Sequence, residues 1–133
     1  MEALRVKTDA SVKDGRVGIG YVVYQRKDGN YHQILRDSHS LDASYDANTA
    51  EEIAIVHGLS AAQEFYSTGS VVAMTDCKGI VERIEHRGIF SHDKNIRRSL
   101  SAITDSFDET MIKWIPKEDN MVAHEACRCI TNG

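Results

Sequence analysis

The sequence is poor in the features that mark membrane-spanning, disulfide-rich or unfolded proteins. It contains a single proline among 133 residues and no run of about 18 consecutive apolar residues. Low-complexity segments are missing too, and the hydrophobic content of 41% is ordinary for a globular protein. We therefore expect one folded domain over residues 1–133. Because the sequence opens without a basic and apolar leader, we also expect a cytoplasmic protein with no membrane partner.

Cysteine is scarce and occurs at Cys77, Cys127 and Cys129. An odd number without a regular spacing predicts reduced thiols in a reducing compartment rather than a disulfide framework. Cys127-x-Cys129 could form half of a zinc site, but no second Cys or Cys/His pair stands at a ligand spacing elsewhere in the sequence. We therefore interpret these two cysteines as small side chains on a terminal helix.

Positive charge is also in short supply, since 16 Lys and Arg residues face 20 Asp and Glu residues and the net charge is −4. This balance argues against a protein that coats nucleic acid, because counterion release requires basic side chains against the phosphates. Residues 78–98 are the exception, with six basic and three acidic residues. This segment predicts one basic face, and a solvated helix surface is the alternative.

Apolar periodicity divides the chain into strands and helices. Strand patterns cover residues 4–9, 17–25, 31–40, 71–75 and 111–115. Helical patterns cover residues 48–65, 80–86, 96–107 and 122–130. We expect Asn48 or Thr49 to cap the first helix, which should end before Gly69. The order predicts an α/β fold: turn sequences join the first three strands into a meander, and helices pack on a mixed five-stranded sheet.

Three carboxylates occupy matched places in these elements. Asp9 and Asp76 each follow an apolar strand, and Glu51 lies in the first turn of a helix. Because strands of one sheet can bring their ends side by side, the three side chains can converge. Carboxylate oxygens suit Mg²⁺ or Mn²⁺, and two such ions about 4 Å apart can activate water and stabilise the leaving oxygen of a phosphodiester. Taken singly, each acid has a plainer role in a turn or helix cap.

Four stretches of the chain resemble the ribonuclease H family in order and spacing. They are residues 7–11, 48–59, 75–77 and 114–124. The resemblance covers nearly the full length and implies a ribonuclease H-like fold, an antiparallel three-stranded meander plus two parallel strands flanked by helices. It places the catalytic, metal-binding carboxylates of the family on Asp9, Glu51 and Asp76. The implied activity is hydrolysis of the RNA strand of RNA–DNA hybrids with one or two Mg²⁺ or Mn²⁺ ions, leaving 5′-phosphate and 3′-hydroxyl ends.

The chain departs from the family pattern at several places. His124 stands where the family usually carries a fourth acidic residue, and we expect it to act as a softer fourth ligand or as a catalytic proton carrier. A histidine without chemistry at a helix start is the alternative. Residues 12–16 replace a loop that senses 2′-hydroxyls in many relatives. The loop over residues 116–120 is similar to the compact, short-loop form of the type 1 enzymes.

We expect substrate contacts from one set of polar and basic side chains. They are Ser11, Asn48, Cys77, Arg83, Arg87, Lys94, Arg97 and Arg98. The favoured hypothesis is a hybrid ribonuclease that acts as a monomer. Two alternatives stay open, namely a nucleic-acid-binding protein with weak or no cleavage and a nuclease for another nucleic-acid structure.

Overall fold

A computed structural model describes residues 3–65 and 69–132. The elements, in chain order, are β1 (Leu4–Lys13), β2 (Arg16–Lys27), β3 (Asn30–Leu41), α1 (Ala47–Phe65), β4 (Ser70–Thr75), α2 (Lys78–Arg87), α3 (Lys94–Thr104), β5 (Glu109–Trp114) and α4 (Met121–Thr131). The sheet order is β3-β2-β1-β4-β5. β1, β2 and β3 are antiparallel neighbours, whereas β4 runs parallel to both β1 and β5. The predicted fold class is confirmed.

Two tight turns create the antiparallel meander. Asp14 and Gly15 connect β1 to β2, and Asp28 and Gly29 connect β2 to β3. All four residues have positive φ, from 51° to 81°. Such Asp-Gly turns match the twist of the strands they join, because both central residues adopt a left-handed conformation. The sequence therefore encodes the meander locally.

The parallel pairing of β1 with β4 fixes where two of the acids meet. The prediction that the first strand ends at Asp9 is wrong, because β1 continues beyond it while paired with β2. What ends here is the pairing with β4, whose last partners are Thr8 and Thr75. Asp9 and Asp76 each follow this last pair, so they lie side by side at the carboxyl edge of two parallel strands.

Helix α1 packs on one face of the sheet. Its fully buried Ile55 and Leu59 join the core cluster that includes Val6 and Tyr21. Gly58 permits close contact, because a Cβ there would lie 2.7 Å from Val6 Cγ1. This packing carries the N-terminal part of α1 to the edge of the sheet where the acids lie.

The cap of α1 differs from the prediction. The side chain of Asp46 accepts a hydrogen bond from the Thr49 N–H at 2.7 Å, so neither Asn48 nor Thr49 caps the helix. The aspartate lies one residue before the helix and satisfies one of its free N–H groups. As a result, Glu51 is in the second turn of α1 rather than the first.

Helix α4 packs on the opposite face of the sheet, over two glycines of β2. A Cβ on Gly20 would lie 2.6 Å from Cys127 N and 2.8 Å from Ala123 O, and Gly18 is similarly crowded. Gly20 is also the cross-strand partner of Asp9. The missing side chain therefore lets α4 approach the strand that carries Asp9.

None of the helices in residues 3–65 and 69–132 is both long and apolar enough to cross a membrane.

Candidate metal centre

Three carboxylates from separate elements meet where β1 and β4 stop pairing. Asp9 lies in β1, Glu51 in α1 and Asp76 directly after β4. One oxygen of each carboxylate lies within 4.8 Å of the others. Asp9 is buried, whereas Glu51 and Asp76 are partly exposed, so the cluster reaches the surface on one side. The structure thus brings together the three acids that the sequence singled out.

Backbone and amide donors fix the orientation of these carboxylates. The Ala10 N–H donates to Asp9 Oδ1 at 3.0 Å and to Glu51 Oε1 at 3.3 Å. The side chain of Asn120, which is fully buried, donates through Nδ2 to the Thr8 carbonyl at 2.8 Å and to Asp76 Oδ2 at 3.3 Å. Strand β1, helix α1 and the start of α4 are therefore tied to the same three acids.

The packing of the acids raises the pKa values of Glu51 and Asp76. Burial, followed by the negative charge of Asp9, raises the pKa of Glu51 from its ordinary 4.5 to about 10. Burial and Asp9 also raise the pKa of Asp76, against the opposing effect of Asn120. The cause is physical: several carboxylates cannot all ionise at close range in a poorly solvated site unless a cation joins them.

One oxygen of the cluster is left without a partner. Glu51 Oε2 is buried and has no hydrogen bond to any described residue. Three carboxylates with mutual repulsion and an unpaired, buried oxygen fit a hard divalent cation such as Mg²⁺ or Mn²⁺. The donor set therefore suits the metal that the sequence predicted.

His124 reaches the same site from α4. Its Nδ1–H donates to Asp9 Oδ2 at 2.9 Å, and 18% of its side chain is exposed. The imidazole therefore holds the second oxygen of Asp9 while the Ala10 N–H holds the first. In this arrangement the imidazole contacts Asp9, which is itself a candidate metal ligand. The predicted role of His124 as a fourth metal ligand therefore stays a prediction.

Comparison with known families identifies the chain by its sequence. Residues 6–129 match the family described as reverse transcriptase-like. The chain belongs to this ribonuclease H-like family. A comparison with curated protein sequences finds no match.

Solved structures share the fold of this ribonuclease H-like chain at low sequence identity. RNase H1 from the halophilic archaeon Halobacterium salinarum superposes with a TM-score of 0.80 at 16% identity, over 97% of each chain. LC11-RNase H1, isolated from compost and solved with an RNA/DNA hybrid, gives 0.77 at 20% identity, over 97% of each chain. The N-terminal RNase H domain of a Mycobacterium tuberculosis protein gives 0.77 at 20% identity, over 99% of this chain and 98% of that chain.

The basic side chains predicted to bind substrate divide into two groups in this ribonuclease H-like structure. The exposed group consists of Arg87, Lys94, Arg97 and Arg98. Arg83 differs, because its guanidinium donates to Glu52 Oε2 at 2.6 Å and to the Phe90 carbonyl at 2.7 Å. Glu52 is only 4% exposed and also accepts from Ser91 Oγ. Arg83 thus joins α2 to α1 through a partly buried ion pair with Glu52.

The other predicted substrate contacts flank the acids on two sides. Ser11 Oγ lies 2.8 Å from Thr131 Oγ1, at the contact of β1 with α4. Cys77 Sγ donates to Asn48 Oδ1 at 3.6 Å, which places both next to Asp76 and the start of α1. Their predicted role in substrate binding stays a prediction.

Three further residues at the site are missing from the predicted site residues. Asn120, which orients Asp76, lies in the stretch that resembles the ribonuclease H family but carries no signal of its own in a single sequence. Trp114 is 41% exposed, and Lys78 Nζ lies 4.7 Å from the centre of its ring. Because Trp114 is the strand partner of Thr75, this pair adjoins Asp76.

Proposed function

We propose that this chain is a divalent-metal-dependent endonuclease that hydrolyses the RNA strand of RNA–DNA hybrids, leaving 5′-phosphate and 3′-hydroxyl ends. The observation that supports this most is the convergence of Asp9, Glu51 and Asp76 within 4.8 Å. The family membership and the shared fold of LC11-RNase H1, which is solved with an RNA/DNA hybrid, point to the same substrate.

Asp9, Glu51 and Asp76 would hold one or two Mg²⁺ or Mn²⁺ ions. Such ions supply Lewis acidity and a nucleophilic water to phosphodiester hydrolysis. The carboxylates would position the ions. Asn120 Nδ2 orients Asp76, and the Ala10 N–H orients both Asp9 and Glu51 by donating to each of them. We propose that His124 completes the catalytic set, either as a further ligand or by holding Asp9 through Nδ1.

The substrate would lie across the acids and along the exposed basic face of α2 and α3. Arg87, Lys94, Arg97 and Arg98 are exposed there and would face the phosphates, although Arg97 also donates through Nη1 to the Ser91 carbonyl at 3.0 Å. Next to Asp76, Trp114 offers an aromatic surface and Lys78 a positive charge, a combination that suits a nucleic-acid strand. Ser11, Asn48 and Cys77 complete the proposed contacts around the acids.

A second candidate function is a nucleic-acid-binding protein that cleaves hybrids weakly or not at all. The contact between His124 Nδ1 and Asp9 Oδ2 favours it. This hydrogen bond occupies an oxygen that would otherwise be available to a metal ion, and an imidazole adds no negative charge to attract one.

Cleavage of a panel of labelled substrates tests the proposal. The purified chain is incubated with an RNA–DNA hybrid, duplex DNA and single-stranded RNA, each in Mg²⁺, in Mn²⁺ and in excess chelator. We expect the hybrid alone to be cut, in its RNA strand, and only when metal is present. Binding of the hybrid without cleavage at high protein concentration would favour the second candidate, and cleavage of another substrate would identify a different nuclease.

We also propose that the protein is cytoplasmic and acts as a monomer. Cys77, Cys127 and Cys129 are free thiols, which favours a reducing compartment. The long β3 edge carries the exposed charges of Arg36 and Asp37 and pairs with β2 through an irregularity at Val23, features that discourage pairing of edges between chains. Light scattering after gel filtration should give the mass of one chain.

A further inference from the structure

A second group of potential metal ligands lies on the α4 side of Asp9. His124 and Cys127 project from the same face of α4, three residues apart, and both face this strand residue. One atom each from the Asp9 carboxylate, the His124 imidazole and the Cys127 thiol lie within 4.8 Å of one another. The sequence interpretation of Cys127 as a small packing residue is therefore incomplete.

The chemistry of this second group differs from that of the three carboxylates. A thiolate, an imidazole and one carboxylate form a donor set that suits a borderline-soft ion such as Zn²⁺, whereas Mg²⁺ takes hard oxygen ligands. His-x-x-Cys spacing on a helix presents two ligands to one ion, because residues three apart lie on the same face. A third ligand from a neighbouring strand leaves one position of a tetrahedron open.

The three potential ligands are largely buried, but a surface groove leads to them. Cys127 is fully buried and Asp9 is 4% exposed, so an ion between them would be shielded from water. His124 lines a surface groove of about 510 Å³, together with Met121, Glu125 and Arg128. An ion could therefore reach the buried ligands past the imidazole.

We propose that Asp9, His124 and Cys127 form a Zn²⁺ site that shares Asp9 with the magnesium site, so that Zn²⁺ excludes Mg²⁺ and inhibits the enzyme. The exclusion rests on the proposed nuclease function, whereas Zn²⁺ binding does not. On binding, the Cys127 thiol loses its proton to the solvent, the remaining proton of His124 moves to Nε2, and no electrons are transferred. The α4 side of Asp9 thus binds an ion that differs from the one used for hydrolysis.

Cobalt absorption tests the site without any activity assay. Co²⁺ replaces Zn²⁺ in such sites, and a bound thiolate gives an intense near-ultraviolet charge-transfer band. We expect the metal-free chain to develop this band on titration with Co²⁺ and to lose it when Zn²⁺ is added. Cys127→Ser, which replaces the thiol with a slightly smaller hydroxyl, should abolish the band and weaken Zn²⁺ binding about 100-fold or more.

Cys129→Ser is the matched control, because Cys129 lies two residues further along the same helix and is exposed. It should bind Co²⁺ with the wild-type spectrum, and circular dichroism should show that both variants are folded. The proposal is overturned if wild-type protein gives no charge-transfer band, or if Cys127→Ser keeps it. If Cys127→Ser is unfolded, calorimetric titration of His124→Ala with Zn²⁺ replaces it as the test. Because His124 is a proposed ligand, this variant should bind Zn²⁺ more weakly than wild type, and equal binding would overturn the proposal.

Inhibition is measured separately, so the two proposals can fail independently. If hybrid cleavage occurs in Mg²⁺, added Zn²⁺ should suppress it in wild type and in Cys129→Ser but much less in Cys127→Ser. Equal suppression in all three proteins would show that Zn²⁺ does not act through Cys127. A chain that shows the cobalt band but no cleavage would keep the Zn²⁺ site and refute the nuclease.

Discussion

At the scale of single residues, Glu51 has a pKa that is strongly raised by burial and by the neighbouring carboxylates. Its pKa of about 10 in the folded chain exceeds the ordinary 4.5, mainly because the side chain is buried. Between these values the folded protein holds one proton more than the unfolded chain, so without metal its stability should fall as pH rises. Glutamine cannot titrate, so Glu51→Gln should remove this loss.

Thermal unfolding in chelator from pH 5 to pH 9 checks the prediction. The melting temperature of Glu51→Gln should be close to that of wild type at pH 5 and exceed it increasingly towards pH 9. Glu125→Gln, an exposed change on α4, should follow wild type throughout. Wild type that gains stability over Glu51→Gln as pH rises would contradict the assigned direction of the pKa shift.

His124 gives the second prediction at this scale. His124→Asp removes the donor that holds Asp9 Oδ2 and adds a negative charge beside the acids, so Mg²⁺ should bind more tightly. The Mg²⁺ concentration that gives half-maximal cleavage should fall several-fold, and Glu125→Gln should leave it unchanged. A variant that needs more Mg²⁺ than wild type would mean that the imidazole has a positive role of its own.

The sequence predicts the acids of the site better than their neighbours. Asp9, Glu51 and Asp76 stand at recognisable places in strands and a helix, so their convergence follows from the element order. The contacts of Asn120 and Cys127 depend on how α4 docks on the sheet, which no local pattern encodes. His124 and Cys127 are three residues apart and therefore share a helix face, but the sequence does not reveal that this face is turned towards Asp9.

At the scale of elements, the contact of β2 with α4 determines how close His124 comes to Asp9. Gly20→Ala would place a methyl group 2.6 Å from the Cys127 nitrogen, and backbone atoms cannot turn aside as a flexible side chain does. We expect the variant to lose about 1–3 kcal/mol of unfolding free energy. Urea denaturation, followed by circular dichroism, measures the loss.

Gly79→Ala is the control for the glycine substitution. A Cβ at Gly79, in α2, has no neighbour within 4 Å. This variant should be as stable as wild type or more stable by up to about 1 kcal/mol, because alanine favours a helix. Equal stability of Gly20→Ala and wild type would show that α4 does not rest on β2 as closely as described.

The sequence predicts which strands and helices form more reliably than it predicts where each of them ends. The five strands and four α-helices of residues 3–65 and 69–132 lie in the predicted order, because apolar periodicity and Asp-Gly turns are local signals, whereas the short 3₁₀ helix Lys117–Asp119 is not predicted. The end of β1 was predicted wrongly, because pairing with β2 extends the strand past Asp9. The cap of α1 was also misplaced, because Asn48 and Thr49 are as suitable by type as Asp46.

At the scale of the whole molecule, an acidic chain that binds a nucleic acid has to do so through a local basic surface. The net charge is −4, and the exposed basic face offers Arg87, Lys94, Arg97 and Arg98. The logarithm of the binding constant for a hybrid should therefore fall with the logarithm of salt concentration with a slope between about −2 and −4. Fluorescence anisotropy with an Asp76→Asn background, which prevents cleavage, gives this slope.

Single substitutions on this face localise the contacts. Arg98→Ala should make the slope less negative by about 1, whereas Lys27→Ala, at the distant turn between β2 and β3, should not change it. A slope that is unaffected by Arg98→Ala would remove this residue from the interface. A slope near zero would exclude the basic face as the binding surface altogether.

The account depends above all on whether the three carboxylates make this molecule a metal-dependent nuclease. The most direct measurement is the single-turnover rate of RNA–DNA hybrid cleavage in Mg²⁺ by wild type, Asp76→Asn and the surface control Glu125→Gln. We predict that Asp76→Asn is slower by at least about 100-fold and that Glu125→Gln matches wild type. Equal rates for wild type and Asp76→Asn, whether both cleave or both are inert, would contradict the account.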